Sequence, residues 1–252
     1  IASDYGANSL RTWSSKNIKN ILDSANNYNM TVMLGIAMSK NIDDYFDNDY
    51  KNKKRDEIKE LLNKYRNHPS LLIWAIGNEI NLGTTSIDAW KFVNELAEMI
   101  KSQDSNHPVC TVIAGANIDL LNNITQYAPA IDLLGINAYA SGLPNIRDNC
   151  TKSNFNGPYI IPEWGPCGHW EVEKTEWNAP IEQTSSQKLE SYKNSYEYIY
   201  GNRDLFLGSY VFLWGQKEER TPTWYSMFVE DRADLGLSGE SCPTVDLMKY
   251  SW

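Results

Sequence analysis

The feature that most constrains this chain is an alternation. Short apolar runs rich in β-branched residues take turns with segments of helical periodicity, roughly every 30 to 45 residues. The runs predict strands over 8–13, 31–36, 71–77, 109–114, 131–137, 159–162 and 207–213. Between them lie helical stripes such as Ile18, Ile21, Leu22 and Ala25, with a cap expected at Ser14 or Ser15. Further stripes are Ile58, Leu61, Leu62 and Tyr65; Ile87, Trp90, Val93, Ala97 and Ile100, capped near Thr85; Ile118, Leu121 and Ile124; and Leu189, Tyr192, Tyr196 and Ile199. Residues 71–77 are continuously apolar, as in a strand buried on both faces.

Strands that alternate with helices in this way form parallel sheets, and the expected fold is a (β/α)8 TIM barrel as one domain over residues 1–252. Seven strands are one short of closure. Either the first strand precedes residue 1 or the barrel lacks it; residues 1–7 read as the tail of a helix, which favours the first. The rival architecture, a doubly wound open sheet, lacks its G-x-G-x-x-G after the first strand.

No apolar run approaches the ~18 residues of a membrane span, and no signal-peptide pattern is present. Net charge is −9, from 23 basic and 32 acidic residues, which disfavours nucleic acid and argues for a neutral partner. Cys110, Cys150, Cys167 and Cys242 lack C-x-x-C spacing; if two pair, Cys150 and Cys167 are expected to, both being placed in loops.

In α/β barrels the chemistry sits just past the strands. Those positions hold Arg11, Asn78, Glu79, Asn137, Tyr139, Glu163, Trp164 and Trp214. Two carboxylates on strands three apart suit glycoside hydrolysis, in which one protonates the leaving oxygen and the other attacks the anomeric carbon or activates water. A separation of about 5–5.5 Å gives retention and about 6.5–9.5 Å inversion.

The block Leu71-Leu72-Ile73-Trp74-Ala75-Ile76-Gly77-Asn78-Glu79 resembles the fourth-strand motif of the retaining glycosidases of clan A, the cellulase, mannanase and β-glucanase type of TIM barrel. Ala7-Asn8-Ser9-Leu10-Arg11-Thr12-Trp13 is similar to that clan's second-strand motif, residues 158–165 to its nucleophile strand, and residues 208–215 to its eighth strand. The resemblance implies that Glu79 is the acid/base and Glu163 the nucleophile. It further implies that Asn78 binds the sugar 2-hydroxyl, Arg11 orients Glu163, Tyr139 donates to it, and Trp214 floors the sugar site. Arg11 would keep Glu163 ionised, while Glu79 beside Trp74 and Trp164 would stay protonated.

Asn137, Trp164 and His169 are expected to line the same cleft, and Trp13, Trp170 and Trp177 are sugar-platform candidates by loop position. Trp74 reads as core. Glu171 and Glu173 are reserve carboxylates, and His68 and His107, each before a proline, read as structural. The loop with Asp43, Asp44, Asp47 and Asp49 lacks the glycine and terminal glutamate of a calcium loop and reads as solvated. The expected function is hydrolysis of a neutral β-linked saccharide by double displacement, without metal or organic cofactor, by a secreted or cell-surface monomer. The alternatives are a transglycosylase using the same residues and a catalytically silent carbohydrate-binding barrel.

Overall fold

The computed structural model describes residues 1–229 and 239–252, and these divide into two compact units. The larger unit comprises Asn8–Asn137 and Asn145–Pro162. It runs β1 (Ser9–Arg11), α1 (Ile18–Asn27), β2 (Thr31–Ile36), α2 (Asn48–Tyr65), β3 (Leu71–Asn78), α3 (Ile87–Lys101), β4 (Val109–Ala114), α4 (Ile118–Tyr127), β5 (Leu133–Asn137), α5 (Ile146–Lys152) and most of β6 (Tyr159–Trp164). Each strand pairs in parallel with the next, from Ser9 opposite Thr31 through to Leu134 opposite Tyr159. Within this unit the parallel pairing puts the C-terminal ends of β1 to β5 on one side.

Val32, Leu34, Ile36, Ile76, Val112, Ile113, Leu134 and Ile136 are wholly buried, so β2 to β5 are covered on both faces as their unbroken apolar runs require. The helices supply the cover. Ile18, Leu22 and Ala25 of α1, Ile58 and Leu62 of α2, and Trp90, Val93, Ala97 and Ile100 of α3 are the buried stripes read from periodicity. Each isoleucine, leucine or valine side chain so taken out of water contributes about 1.5–3 kcal/mol.

The smaller unit comprises Ile1–Ala7, Ala138–Pro144 and Glu163–Trp252. It holds the last two residues of β6, α6 (Ser185–Gly201), β7 (Phe206–Val211) and α7 (Pro243–Ser251). Here the Phe212 amide donates to the Trp164 carbonyl at 2.8 Å, and the Ala138 amide to the Glu163 carbonyl at 2.9 Å. A full capping box at Thr184 and Gln187 starts α6.

Two local expectations change, at the start of α1 and at the cysteines. Helix α1 starts at Ile18 behind Asn17, not at Ser14 or Ser15, because the Ser15 hydroxyl donates to Glu57 instead. The cap expected near Thr85 is Ser86, which accepts from the Asp88 amide. All four cysteines are free, and Cys150 lies in α5, where burial pushes its thiol up to about 12. The acidic loop is spent on capping: Asn41 accepts from Asp43 ahead of a 3-10 turn, and Asp47 accepts from Asp49 at the start of α2. No described helix is long and apolar enough to cross a membrane.

The end of the larger unit away from the strand termini is held by Asp104, which is buried and accepts from the Trp74 indole, the His107 ring and the amides of Asn106 and His107. Burial alone would raise its pKa, but the bonds from Trp74 and His107 outweigh it and hold the carboxyl below its ordinary value. A group so depressed stabilises the fold above the unfolded carboxylate range and loses that contribution as pH falls through its folded pKa. Asp104→Ala is expected to cost about 2–3 kcal/mol at pH 7 by stranding the Trp74 donor. Denaturant melts of both proteins at pH 7 and below pH 4 should show the gap narrowing in acid.

Candidate active site

Within the larger unit, four of the expected residues converge. Arg11 ends β1, Asn78 ends β3 and Asn137 ends β5, so alternate strands contribute, as in the layers of side chains that fill a barrel mouth. The Arg11 guanidinium donates to the Asn78 side-chain oxygen at 2.5 Å and to the Pro162 carbonyl at 2.9 Å. The buried Asn137 amide donates to that same Asn78 oxygen at 3.2 Å and to Glu79 Oε1 at 3.0 Å. Two donors on one oxygen settle the orientation of the Asn78 amide, leaving its NH2 as the outward group.

Glu79 is aimed by an irregularity in the strand. The register of β3 against β4 slips between Ile76 and Asn78, and Gly77 there adopts φ +79. Glu79 itself is left-handed, at φ 53 and ψ 38, an uncommon conformation for a residue with a side chain. Its amide is held by the Val112 carbonyl at 2.8 Å, and Asn81 exchanges two bonds of 3.0 Å with the Ala114 backbone just beyond. Lys40 completes this cluster, with its ammonium 3.6 Å from Glu79 Oε2.

Within the smaller unit, Glu163 is buried at 7% exposure and accepts the Tyr139 hydroxyl at 3.0 Å. Burial first, and then the Glu163 charge, push the Tyr139 pKa well above 10, so the phenol stays a neutral donor. Its ring is boxed by Phe212, Tyr225 and Trp170, with centroids at 6.0, 5.5 and 5.7 Å. Trp214 packs against Tyr5, Phe228 and Trp252, at 6.0, 5.2 and 5.1 Å.

The sequence matches the family model for glycosyl hydrolases family 2, TIM barrel domain, over residues 5–168. The chain belongs to that family. The match spans Arg11, Asn78, Glu79, Asn137, Tyr139 and Glu163 together.

Solved structures share the fold. A β-galacturonidase from Eisenbergiella tayi bound to galacturonate superposes with a TM-score of 0.75 at 20% identity, over 99% of this chain and 46% of that one. A Bifidobacterium dentium β-glucuronidase complexed with coumarin-3-O-glucuronide gives 0.76 at 17% identity, over 100% and 41%. A β-D-glucuronidase of Dictyoglomus thermophilum gives 0.72 at 17%, over 100% and 45%. This chain thus spans less than half the length of these proteins. No curated protein matches it. The TIM-barrel expectation is met, and the glycosidase resemblance falls on family 2, where the motifs were read as cellulase- or mannanase-like.

The other expected residues have varied surroundings. Trp164 is fully buried, its ring packed on Tyr192 and Tyr196 of α6, because it points to the helix side of β6. Trp74 is also wholly buried and its indole is committed to Asp104, so it is core and not a wall beside the Glu79 carboxyl. His169 lies edge-on to Trp170 and Trp224, with its pKa lowered by burial and by Arg220. Trp13 lies under the Arg11 guanidinium at 5.9 Å, and Trp177 is 78% exposed. Glu171 is no reserve nucleophile, since it accepts from the Ser141 amide and hydroxyl and from the Gly168 amide. His68 and His107 bond Asp23 and Asp104 in the turns before β3 and β4, as structural residues do.

Lys40 was missed by reading only the residue next to each strand end. It sits four residues past β2, and a wider window over the same loop would have found it.

A methyl group at Gly77 would force a left-handed alanine next to Glu79. Gly77→Ala is expected to destabilise by about 1–2 kcal/mol, while Gly208→Ala, where a methyl would meet nothing within 4 Å, should leave the urea midpoint unchanged or raised.

Proposed function

We propose that this chain is the catalytic barrel of a retaining β-glycosidase, with Glu163 as nucleophile and Glu79 as acid/base. The observation that carries the reading is that the family-2 match contains both carboxylates, each at a strand end with its own dedicated hydrogen-bond partner. In the first step Glu163 attacks the anomeric carbon while protonated Glu79 gives its proton to the departing oxygen. In the second, Glu79 takes a proton from water, and that water displaces Glu163 with net retention. Tyr139 holds Glu163 in place, Arg11 and Asn137 hold Asn78 so that its outward NH2 meets the sugar 2-hydroxyl, Asn137 also keeps Glu79 in register with Asn78, and Trp214 offers its face to the pyranose ring.

For the substrate, an acidic sugar is the better reading than the neutral saccharide expected from net charge. Charges beyond about 8 Å are largely screened at physiological salt, so the −9 of the whole chain says little about the site. The local feature is Lys40, a half-exposed ammonium beside Glu79, which can meet a uronate carboxylate. The proteins of similar fold described as β-glucuronidases and a β-galacturonidase point the same way.

Activity is measured on 4-nitrophenyl β-D-glucuronide, β-D-galacturonide, β-D-glucoside and β-D-mannoside. Glu79→Gln should lower kcat about 10²–10⁴-fold, and Glu163→Gln should lower it further. Azide added to Glu163→Gly should yield the inverted glycosyl azide, and added to Glu79→Ala the retained one; near-normal turnover by Glu163→Gln would falsify the assignment. Lys40→Met should lower kcat/KM for the uronides at least about tenfold, the loss of one charged hydrogen bond, and leave the glucoside nearly unaffected. An equal loss on both kinds of substrate removes Lys40 as the carboxylate partner.

A further inference from the structure

Trp170 combines two properties that rarely occur together. It is 58% exposed, and yet its position is fixed on every side the structure shows. The Tyr139 ring meets it edge-on at 5.7 Å and 88°, and the His169 ring does so at 5.0 Å and 82°. Its six-membered ring folds back over Gly168 so closely that a Cβ there would lie 2.4 Å from two of its carbons. Only glycine permits that approach.

The turn that carries it is tied down by Glu171. One carboxylate oxygen accepts from the Ser141 amide and hydroxyl, and the other from the Gly168 amide at 2.6 Å. Glu171 therefore joins the loop after β6 to the 3-10 segment Ala140–Asn145 that follows Tyr139. Three hydrogen bonds to a charged acceptor are more than a surface turn needs. An indole left in water gains nothing from being immobilised, and its rigidity has value only when a ligand covers it.

That indole stands one phenol ring and one hydrogen bond away from Glu163, since the ring it touches is the ring whose hydroxyl binds the carboxylate. Resting on the glycosidase reading above, we propose that Trp170 is a stacking platform for a pyranose ring of the substrate and that Glu171 is the positioning residue that sets its angle. The apolar C–H face of the sugar lies on the indole, and the hydroxyls at its rim stay in contact with water. Glu171 acts only through Trp170 and touches no substrate.

The test is a double-mutant cycle on the full chain, read on 4-nitrophenyl β-D-glucuronide, β-D-galacturonide and β-D-glucoside. Trp170→Ala should raise KM about five- to tenfold with kcat little changed, and Trp170→Phe should recover most of the loss. Glu171→Gln cannot accept from both Gly168 and Ser141, and it should raise KM in the wild-type background but add nothing in the Trp170→Ala background. An unchanged KM in Trp170→Ala overturns the platform. A Glu171→Gln effect that persists in full without the indole overturns the positioning role. If the wild type cleaves none of the three substrates, the glycosidase reading fails, and the platform is judged separately by quenching of tryptophan emission with methyl β-D-glucuronide and methyl β-D-glucoside. Quenching that Trp170→Phe abolishes supports the platform, and absence of quenching in the wild type overturns it.

Discussion

A single buried amide organises the strand ends around Glu79. Asn137 is 3% exposed, and its two N–H groups go to Asn78 and to Glu79, residues that come from β3 while Asn137 comes from β5. Because an amide donates along fixed directions, this pair of bonds sets the orientation of Asn78 and the side-chain angle of Glu79 together. Arg11 adds a charged donor to the same Asn78 oxygen from β1. Three strands are thereby cross-linked at their ends through one asparagine oxygen, and Glu79 inherits its position from that link.

Glu163 is held in a different way. Its support is a phenol inside an aromatic box, where burial keeps Tyr139 neutral and hence an obligate donor. One carboxylate is thus placed by amides and an ammonium, the other by a hydroxyl in apolar surroundings. The tryptophan walls expected around Glu79 are absent, since Trp74 and Trp164 are both spent on packing.

Much of the fold was legible because each βα unit writes its own period. The bounds of β2 and β4 agree with the apolar runs that predicted them, and the helical stripes are the buried faces. Position along the chain alone placed Arg11, Asn78 and Asn137 at strand ends, and Glu79, Tyr139 and Glu163 beside them. The failures share a cause. Ser15 resembles a cap but bonds Glu57, 42 residues away, and Trp164 resembles a cleft residue but alternates onto the helix side of its strand. Lys40 and Glu171 lie in loops, where no period reports on direction.

Taken by itself, the sequence determined the order and type of the elements and which residues stand at the strand termini, because these follow from local periodicity and from the parallel arrangement that periodicity demands. Tertiary structure alone decided which side chains share a proton, a charge or a face. The bulge at Gly77 that turns Glu79, the ammonium of Lys40 beside it, the commitment of Trp74 to Asp104 and the Glu171 clamp under an exposed indole all depend on contacts between residues far apart in the chain. Hydrogen-bond direction and close packing are properties of atoms in space, and no spacing along the chain encodes them.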